Sequence, residues 1–216
     1  HDEMVSFSLT AGGAATQGPT GPDSYGYYAY DDTDTWTGQA PVYSWIEITA
    51  VGSIITDITN SDAATATLAL PFTFKYYGTN YTQISVCSNG FISLGVEDYR
   101  FGDNSAIPNT HGPDAMLAPF WDDLDPSDAG DIYEYYDSAN HRYIVQFDAN
   151  VHYGGTNPET FEVILYDPAY MPTATGDGVI AFQYQTVGTA SSATIGIESP
   201  AQNDGIQYVY NGNHDV

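Results

Sequence analysis

Residues 70–95 read LPFTFKYYGTNYTQISVCSNGFISLG, and this stretch decides the fold class. It holds three segments rich in Phe, Tyr, Ile and Val, the residue types enriched in β-strands, which we place at 72–77, 81–87 and 91–94. Ser88-Asn89-Gly90 separates the last two, and Asn-Gly favours a tight hairpin because it adopts positive φ angles at low cost. The stretch therefore predicts neighbouring antiparallel strands.

The same pattern of short strand-like segments bounded by turn residues continues along the chain, and helical periodicity is nearly absent. Further strands are predicted at 43–49, 52–58, 116–121, 132–137, 142–148, 160–167, 179–185, 193–198 and 206–210, and the turn residues Asp-Ser-Ala-Asn-His at 137–141 predict a second hairpin. About twelve short strands at this spacing predict an all-β fold, a two-sheet jelly-roll-like sandwich, with a detached N-terminal strand.

The composition restricts both the surroundings and the partners of the chain. The 216 residues include 28 acidic side chains and only three basic ones, for a formal net charge of -25. Such a chain repels nucleic acids and anionic lipid surfaces, and it has no apolar run long enough for membrane insertion. Thr, Ser, Asn, Gly and Tyr replace the Lys and Glu of cytosolic surfaces, so we expect an extracellular protein, secreted or on the cell surface. Cys87, the single cysteine, is expected to be buried.

A separate strand is predicted at the N-terminus. Val5, Phe7 and Leu9 alternate with Ser6, Ser8 and Thr10, the period of a half-buried strand over residues 4–10. A Gly-, Thr- and Pro-rich arm follows over residues 11–22. We therefore divide the chain into a strand and arm at 1–22 and a β-sandwich domain at 23–216.

Two partners are open to this strand: an edge of its own sandwich, or the sandwich of an identical subunit. The arm spans up to roughly 40 Å when extended, enough to reach either. A long Gly-rich arm favours exchange, because a strand that pairs with its own edge usually arrives by a short turn. Exchange from copy to copy builds a homopolymer, with Val5, Phe7 and Leu9 as the assembly residues.

An acidic stretch, PFWDDLDPSDAGDIYEYYD, covers residues 119–137. Closely spaced carboxylates on a turn are the ligands that Ca²⁺ prefers, although the stretch lacks the EF-hand pattern. The candidate calcium ligands are Asp122, Asp123, Asp125, Asp128 and Asp131. The alternative is a solvated turn, and no other cofactor is expected.

Catalytic signals are absent from the sequence, and aromatic side chains are the remaining candidates for binding. There is no Gly-x-Ser-x-Gly elbow, so we expect a protein that is not an enzyme. Tyr residues are concentrated at 25–30 and 133–136, and exposed rings such as Tyr27 and Tyr135 can stack on glycans. Packing inside the sandwich is the alternative. These residues support a second function, a carbohydrate- or surface-binding module.

Several stretches resemble a β-sandwich module of large secreted proteins of environmental Gram-negative bacteria. They are residues 70–95 together with MLAPFWDDLDP, GDIYEYYDSANHRYIVQFD, TFEVILYDPAYMPTATGDGVIAFQYQTV and TIGIESPAQNDGIQYVYNG. The resemblance implies an extracellular sandwich with no catalytic residues, found beside proteases, immunoglobulin-like repeats and a C-terminal sorting domain. The N-terminal organisation is similar to that of bacterial extracellular fibril subunits that polymerise through a donor strand. The expected function is a non-enzymatic structural subunit of an extracellular filament.

Overall fold

The computed structural model describes residues 3–8 and 18–214, with the backbone alone described for 3–8. These residues form fourteen strands and a short 3-10 turn at Thr35–Thr37. The strands are β1 Glu3–Ser8, β2 Tyr27–Tyr30, β3 Ser53–Ile54, β4 Thr65–Tyr76, β5 Thr79–Cys87, β6 Phe91–Leu94, β7 Met116–Trp121, β8 Asp131–Asp137, β9 Arg142–Val151, β10 Pro158–Tyr166, β11 Ile180–Thr186, β12 Thr194–Glu198, β13 Gly205–Tyr210 and β14 Asn213–His214.

Two seven-stranded sheets form a sandwich, which confirms the all-β, two-sheet prediction. The first sheet has the order β2-β1-β11-β10-β9-β8-β3, and the second has the order β14-β13-β12-β7-β6-β5-β4. Within each sheet most neighbours are consecutive in the chain, because antiparallel strands are joined most simply by short turns. The finer jelly-roll assignment is not confirmed by this order.

Aromatic and aliphatic side chains from the inner faces of both sheets fill the space between them. Phe74 and Phe120 from the second sheet join Phe147, Phe161 and Phe182 from the first, all of them fully buried. Every second residue of a strand points to the same face, which is why alternating sequences such as TFEVILY supply this layer.

Smaller clusters also bury the outer faces of the sheets. Ile144, Ile164 and Ala181 on the first sheet pack with Ile48, which lies in an irregular segment. Cys87 and Trp121 belong to a corresponding cluster on the second sheet. Strands covered on both sides lose the alternation of buried and exposed residues, as in β7, where all six residues are buried.

The predicted hairpin at residues 88–90 is confirmed. Cys87 pairs with Phe91 across it, and Gly90 has a φ of 76°. A second predicted hairpin joins β8 to β9, where Asp137 pairs with Arg142. In the first hairpin Gly90 is required for a further reason, since a Cβ there would lie 2.0 Å from the carbonyl oxygen of Phe120.

The strand predictions for 43–49 and 52–58 are wrong in large part. Residues 41–48 have no regular secondary structure, and only Ser53–Ile54 of the second segment is a strand. Alternate backbone amides of the first segment bond to side chains of the sheet below it instead of to a neighbouring strand. β2 was not predicted, because its four residues, YYAY, lack the alternation of a half-buried strand.

Candidate functional site

The N-terminal strand occupies an interior place in the first sheet of its own chain. β1 lies between β11 and β2 and runs parallel to both. Every other strand pair in the described part of the chain is antiparallel. The strand is therefore not detached in the structure: it fills a slot between two strands.

The register connects the predicted assembly residues with the core. Val5 is aligned with Ile180 and Phe7 with Phe182, and both of these β11 side chains are fully buried. On the other side of the slot Val5 is aligned with Ala29, which is also buried. Leu9, the third predicted assembly residue, lies outside the described residues.

The parallel direction of β1 explains why the arm is long, a reason that sequence reasoning missed. Parallel neighbours cannot be joined by a tight turn, and they need a crossover of a dozen or more residues. Residues 9–26 provide this length between β1 and β2, so the long arm is required even for self-pairing and does not by itself favour exchange. The arm also ends beside β2 at the edge of the first sheet, since Thr20 forms an antiparallel bridge with Ala29.

The outer face of the same sheet carries a polar row that holds residues 44–48 across three strands. Three side chains in register on β11, β10 and β9 accept hydrogen bonds from alternate backbone amides. These bonds are Ser44 N to Gln183 Oε1 (2.7 Å), Ile46 N to Glu162 Oε1 (3.3 Å) and Ile48 N to Gln146 Oε1 (3.0 Å). Burial raises the pKa of Glu162 to about 8, so this carboxyl is protonated at neutral pH.

The acidic stretch is tied into local hydrogen bonds. Asp122 Oδ2 accepts a hydrogen bond from the Ser192 hydroxyl at 2.7 Å, and Asp125 Oδ1 accepts one from Ser127 N at 2.9 Å. In the described ranges 3–8 and 18–214, no group of three or more His, Cys, Asp or Glu side chains converges as a metal site. Calcium binding by Asp122, Asp123, Asp125, Asp128 and Asp131 stays a prediction.

His152, which sequence reasoning left unassigned, lies between two carboxylates. Its Nε2 is 3.2 Å from Glu159 Oε1, and its Nδ1 is 3.7 Å from Asp122 Oδ2. The hydrogen bond with Glu159 raises the pKa of His152. The nearby Ser192 donates to Asp122 and not to the imidazole, so the geometry is not that of a serine nucleophile with its base. The expectation that the chain is not an enzyme stays a prediction.

The two tyrosines predicted to contact glycans have different positions. Tyr27 is fully buried in the core, so the prediction of an exposed ring there is wrong: its strand places it between the sheets. Tyr135 is partly buried against the outer-face cluster of Ile144 and Ile164. An open cavity of about 390 Å³ lies elsewhere, and its lining includes Tyr25 and Tyr77.

Comparison with known proteins identifies the family. The family model described as NIDO related matches residues 35–214. The chain belongs to the NIDO-related family. Domains of this family occur in extracellular proteins, in agreement with the expected location, and no helix in the described residues is long and apolar enough to cross a bilayer. Comparisons with curated proteins and with solved structures find no significant match.

The matched region of this NIDO-related domain contains twelve of its fourteen strands, from β3 to β14. β1 and β2 precede it, so the slot between β2 and β11 joins a strand outside the matched region to one inside it.

Proposed function

We propose that this NIDO-related domain is a non-enzymatic structural subunit of an extracellular filament, in which β1 of one copy completes the first sheet of the next. The observation that carries the proposal is the parallel insertion of β1 between β11 and β2. A strand with neighbours on both sides forms two ladders of backbone hydrogen bonds, and either copy's strand can form them.

The interactions in the slot are strong enough to hold β1 tightly, and they still allow it to exchange between copies. A Val or Phe side chain that is buried on strand insertion contributes roughly 1.5 to 3 kcal/mol before ordering costs. Since the contacts are the same within a chain and between chains, the balance depends on concentration. A tethered strand has an effective concentration in the millimolar range, so self-pairing dominates in dilute solution and exchange becomes favourable at high local density.

Cysteine pairs across the slot test the exchange. Ser6 is aligned with Ala181, and neighbouring strands lie within disulfide range. One preparation of reduced Ser6→Cys is mixed with one of reduced Ala181→Cys at high concentration, dissolved oxygen with a copper catalyst serves as the oxidant, and the products are separated without reduction. Exchange predicts disulfide-linked dimers that contain one copy of each variant. Native Cys87 is fully buried and does not compete.

The matched control mixes Ser6→Cys with Ser138→Cys, which lies in the exposed turn between β8 and β9. A chain that carries both Ser6→Cys and Ala181→Cys reports on pairing within one chain. If its internal disulfide forms rapidly while the mixed variants give dimers only at the control rate, β1 pairs only with its own chain. Electron microscopy of the full chain and of a chain lacking residues 1–10 then tests whether filaments form and whether they need β1. Filaments that persist without residues 1–10 would contradict the proposal.

A second function, binding of glycans or of a cell surface, is favoured by the open cavity beside Tyr25. Tyr25 is 39% exposed, its ring is 5.0 Å from that of Tyr77, and Asn203 and Asp204 line the same cavity. An aromatic platform beside polar side chains suits a sugar ring. Tyr25→Ala is expected to weaken glycan binding at least about tenfold, the value of one lost stacking contact, while Tyr153→Ala, exposed elsewhere, leaves it unchanged.

A further inference from the structure

A buried amide oxygen without a partner lies beside the acidic loops. Asn89, in the hairpin between β5 and β6, is 1% exposed, and its Oδ1 has no hydrogen-bond partner among the described residues. The direction of the amide is fixed, because Nδ2 donates to the carbonyl oxygen of Arg100 at 2.9 Å. A buried acceptor left in this state costs free energy, unless a ligand compensates it.

The orphan oxygen lies near a carboxylate oxygen of Asp123. A Cβ built on Gly102 would lie 2.9 Å from Asn89 Oδ1 and 2.9 Å from Asp123 Oδ1, so the two oxygens are at most twice that distance apart. Ca²⁺ binds oxygen ligands at about 2.3 to 2.6 Å, so a small closing movement lets one ion contact both. A side chain at position 102 would meet both oxygens and also the Cα of Asp123 at 2.6 Å, so only glycine allows the loop to pass this close to them.

Negative charge is concentrated at the same place. Partial burial raises the pKa of Asp123, and the next cause is the charge of Asp62, followed by those of Asp122 and Asp125. Asp62 lies beside the same hairpin, since its backbone carbonyl oxygen accepts a long hydrogen bond from Asn89 Nδ2 at 3.5 Å. Burial and the charges of Asp125 and Asp128 raise the pKa of its carboxyl as well. Carboxylates that repel one another around an unpaired amide oxygen form an arrangement that a divalent cation stabilises.

We propose that Asn89 Oδ1, Asp123 and Asp62 form a Ca²⁺ site beside Gly102. It differs from the site predicted from the acidic stretch, because one ligand is an amide from a distant hairpin and one carboxylate precedes β4. The site uses two carboxylates and an amide, with water as the remaining ligands. A bound ion ties together three loops of the second sheet, and dissociation constants of extracellular calcium modules, about 10⁻⁴ to 10⁻³ M, are expected.

The test uses the full chain, with Ca²⁺ titrated by calorimetry and Tb³⁺ luminescence excited through Trp121, two residues before Asp123. We expect one saturable site per chain, at least tenfold weaker in Asp123→Asn and unchanged in Asp98→Asn, an exposed aspartate of the neighbouring loop. Mg²⁺ is expected to bind much more weakly, since it dehydrates reluctantly and demands octahedral geometry.

Three results would overturn the site: no saturable binding, binding that Asp123→Asn leaves unchanged, or weak binding of many ions that about 0.15 M NaCl removes as expected for diffuse screening. Circular dichroism checks that each variant is folded. Should Asp123→Asn not fold, Asp62→Asn takes its place with the same expected loss. None of these results depends on whether β1 exchanges between copies.

Discussion

At the scale of single residues, the most informative positions are buried polar groups. Glu162, Asn89 and Glu198 are almost completely inaccessible to solvent, and each has a side-chain oxygen without a hydrogen-bond partner among the described residues. Burial raises the pKa of Glu198 to about 7 and that of Glu162 to about 8. Nothing in the local sequence marks these residues, since burial of a Glu depends on which segment covers it.

Glu162 is expected to make the protein less stable as the pH rises. Its folded pKa of about 8 lies above the unfolded value of 4.5, so the folded state holds the proton more tightly. Stability from this group is complete below about pH 4.5 and declines as the pH rises through about 8. Glu162→Gln removes this decline, and the difference in unfolding free energy between variant and wild type changes by roughly 1 to 3 kcal/mol from pH 5 to pH 8.

Urea unfolding at several pH values measures the unfolding free energies of the wild type and of Glu162→Gln. Asp57→Asn is the control, because Asp57 is exposed and outside the polar row. A pH profile of Glu162→Gln that runs parallel to the wild type would show that the carboxyl does not retain its proton.

His152 is expected to stabilise the fold in its charged form. Its hydrogen bond with Glu159 raises the pKa above the ordinary 6.5, so the stabilisation is complete below about pH 6.5 and is lost as the pH rises through the folded pKa. His152→Gln should lower the unfolding free energy by roughly 1 kcal/mol at pH 6 and by less at pH 8.5. Thermal unfolding at both pH values measures this loss of stability, with Asp57→Asn at an exposed position as the control. An equal loss at both pH values would contradict the charged pair.

At the scale of elements, hairpins follow the local sequence, while covering segments do not. Ser88-Asn89-Gly90 and the turn after Asp137 form where the sequence predicts them, because positive φ angles and turn residues act over a few positions. Residues 43–49 have a strand-like composition, but their backbone donors meet Gln183, Glu162 and Gln146. The composition of this segment cannot distinguish a strand from an irregular segment whose amides bond to side chains of a sheet.

Gly90 tests how closely the hairpin approaches its neighbour. Gly90→Ala places a Cβ 2.0 Å from the Phe120 carbonyl oxygen and also forces a positive φ, whereas Gly176→Ala, at a φ of 80°, meets nothing within 4 Å. Gly176→Ala is expected to cost about 1 kcal/mol, the penalty for the backbone angle alone. Gly90→Ala should cost roughly 3 kcal/mol or more in urea unfolding. Similar losses in the two variants would contradict the close approach.

At the scale of the whole molecule, the net charge of -25 opposes folding and assembly through self-repulsion. Raising NaCl from about 10 mM to about 0.15 M shortens the Debye length from about 30 Å to about 8 Å. We expect the unfolding free energy to rise by roughly 1 kcal/mol, or about 2 to 4 °C in Tm. Scanning calorimetry at constant pH measures the change in Tm. Choline chloride at the same ionic strength should raise Tm by the same amount. A Tm that falls with salt would show that attractive ion pairs dominate.

The sequence by itself determined the fold class, most of the strands and the two hairpins, because these follow from residue periodicity and turn chemistry. Only the tertiary structure decided the parallel place of β1, the burial of Tyr27 and the convergence of Asn89 with Asp123. The physical reason is the distance along the chain over which each interaction acts. Periodicity and turns act between residues a few positions apart, whereas a slot between β2 and β11, or a loop that covers an amide, is formed by segments far apart in the chain.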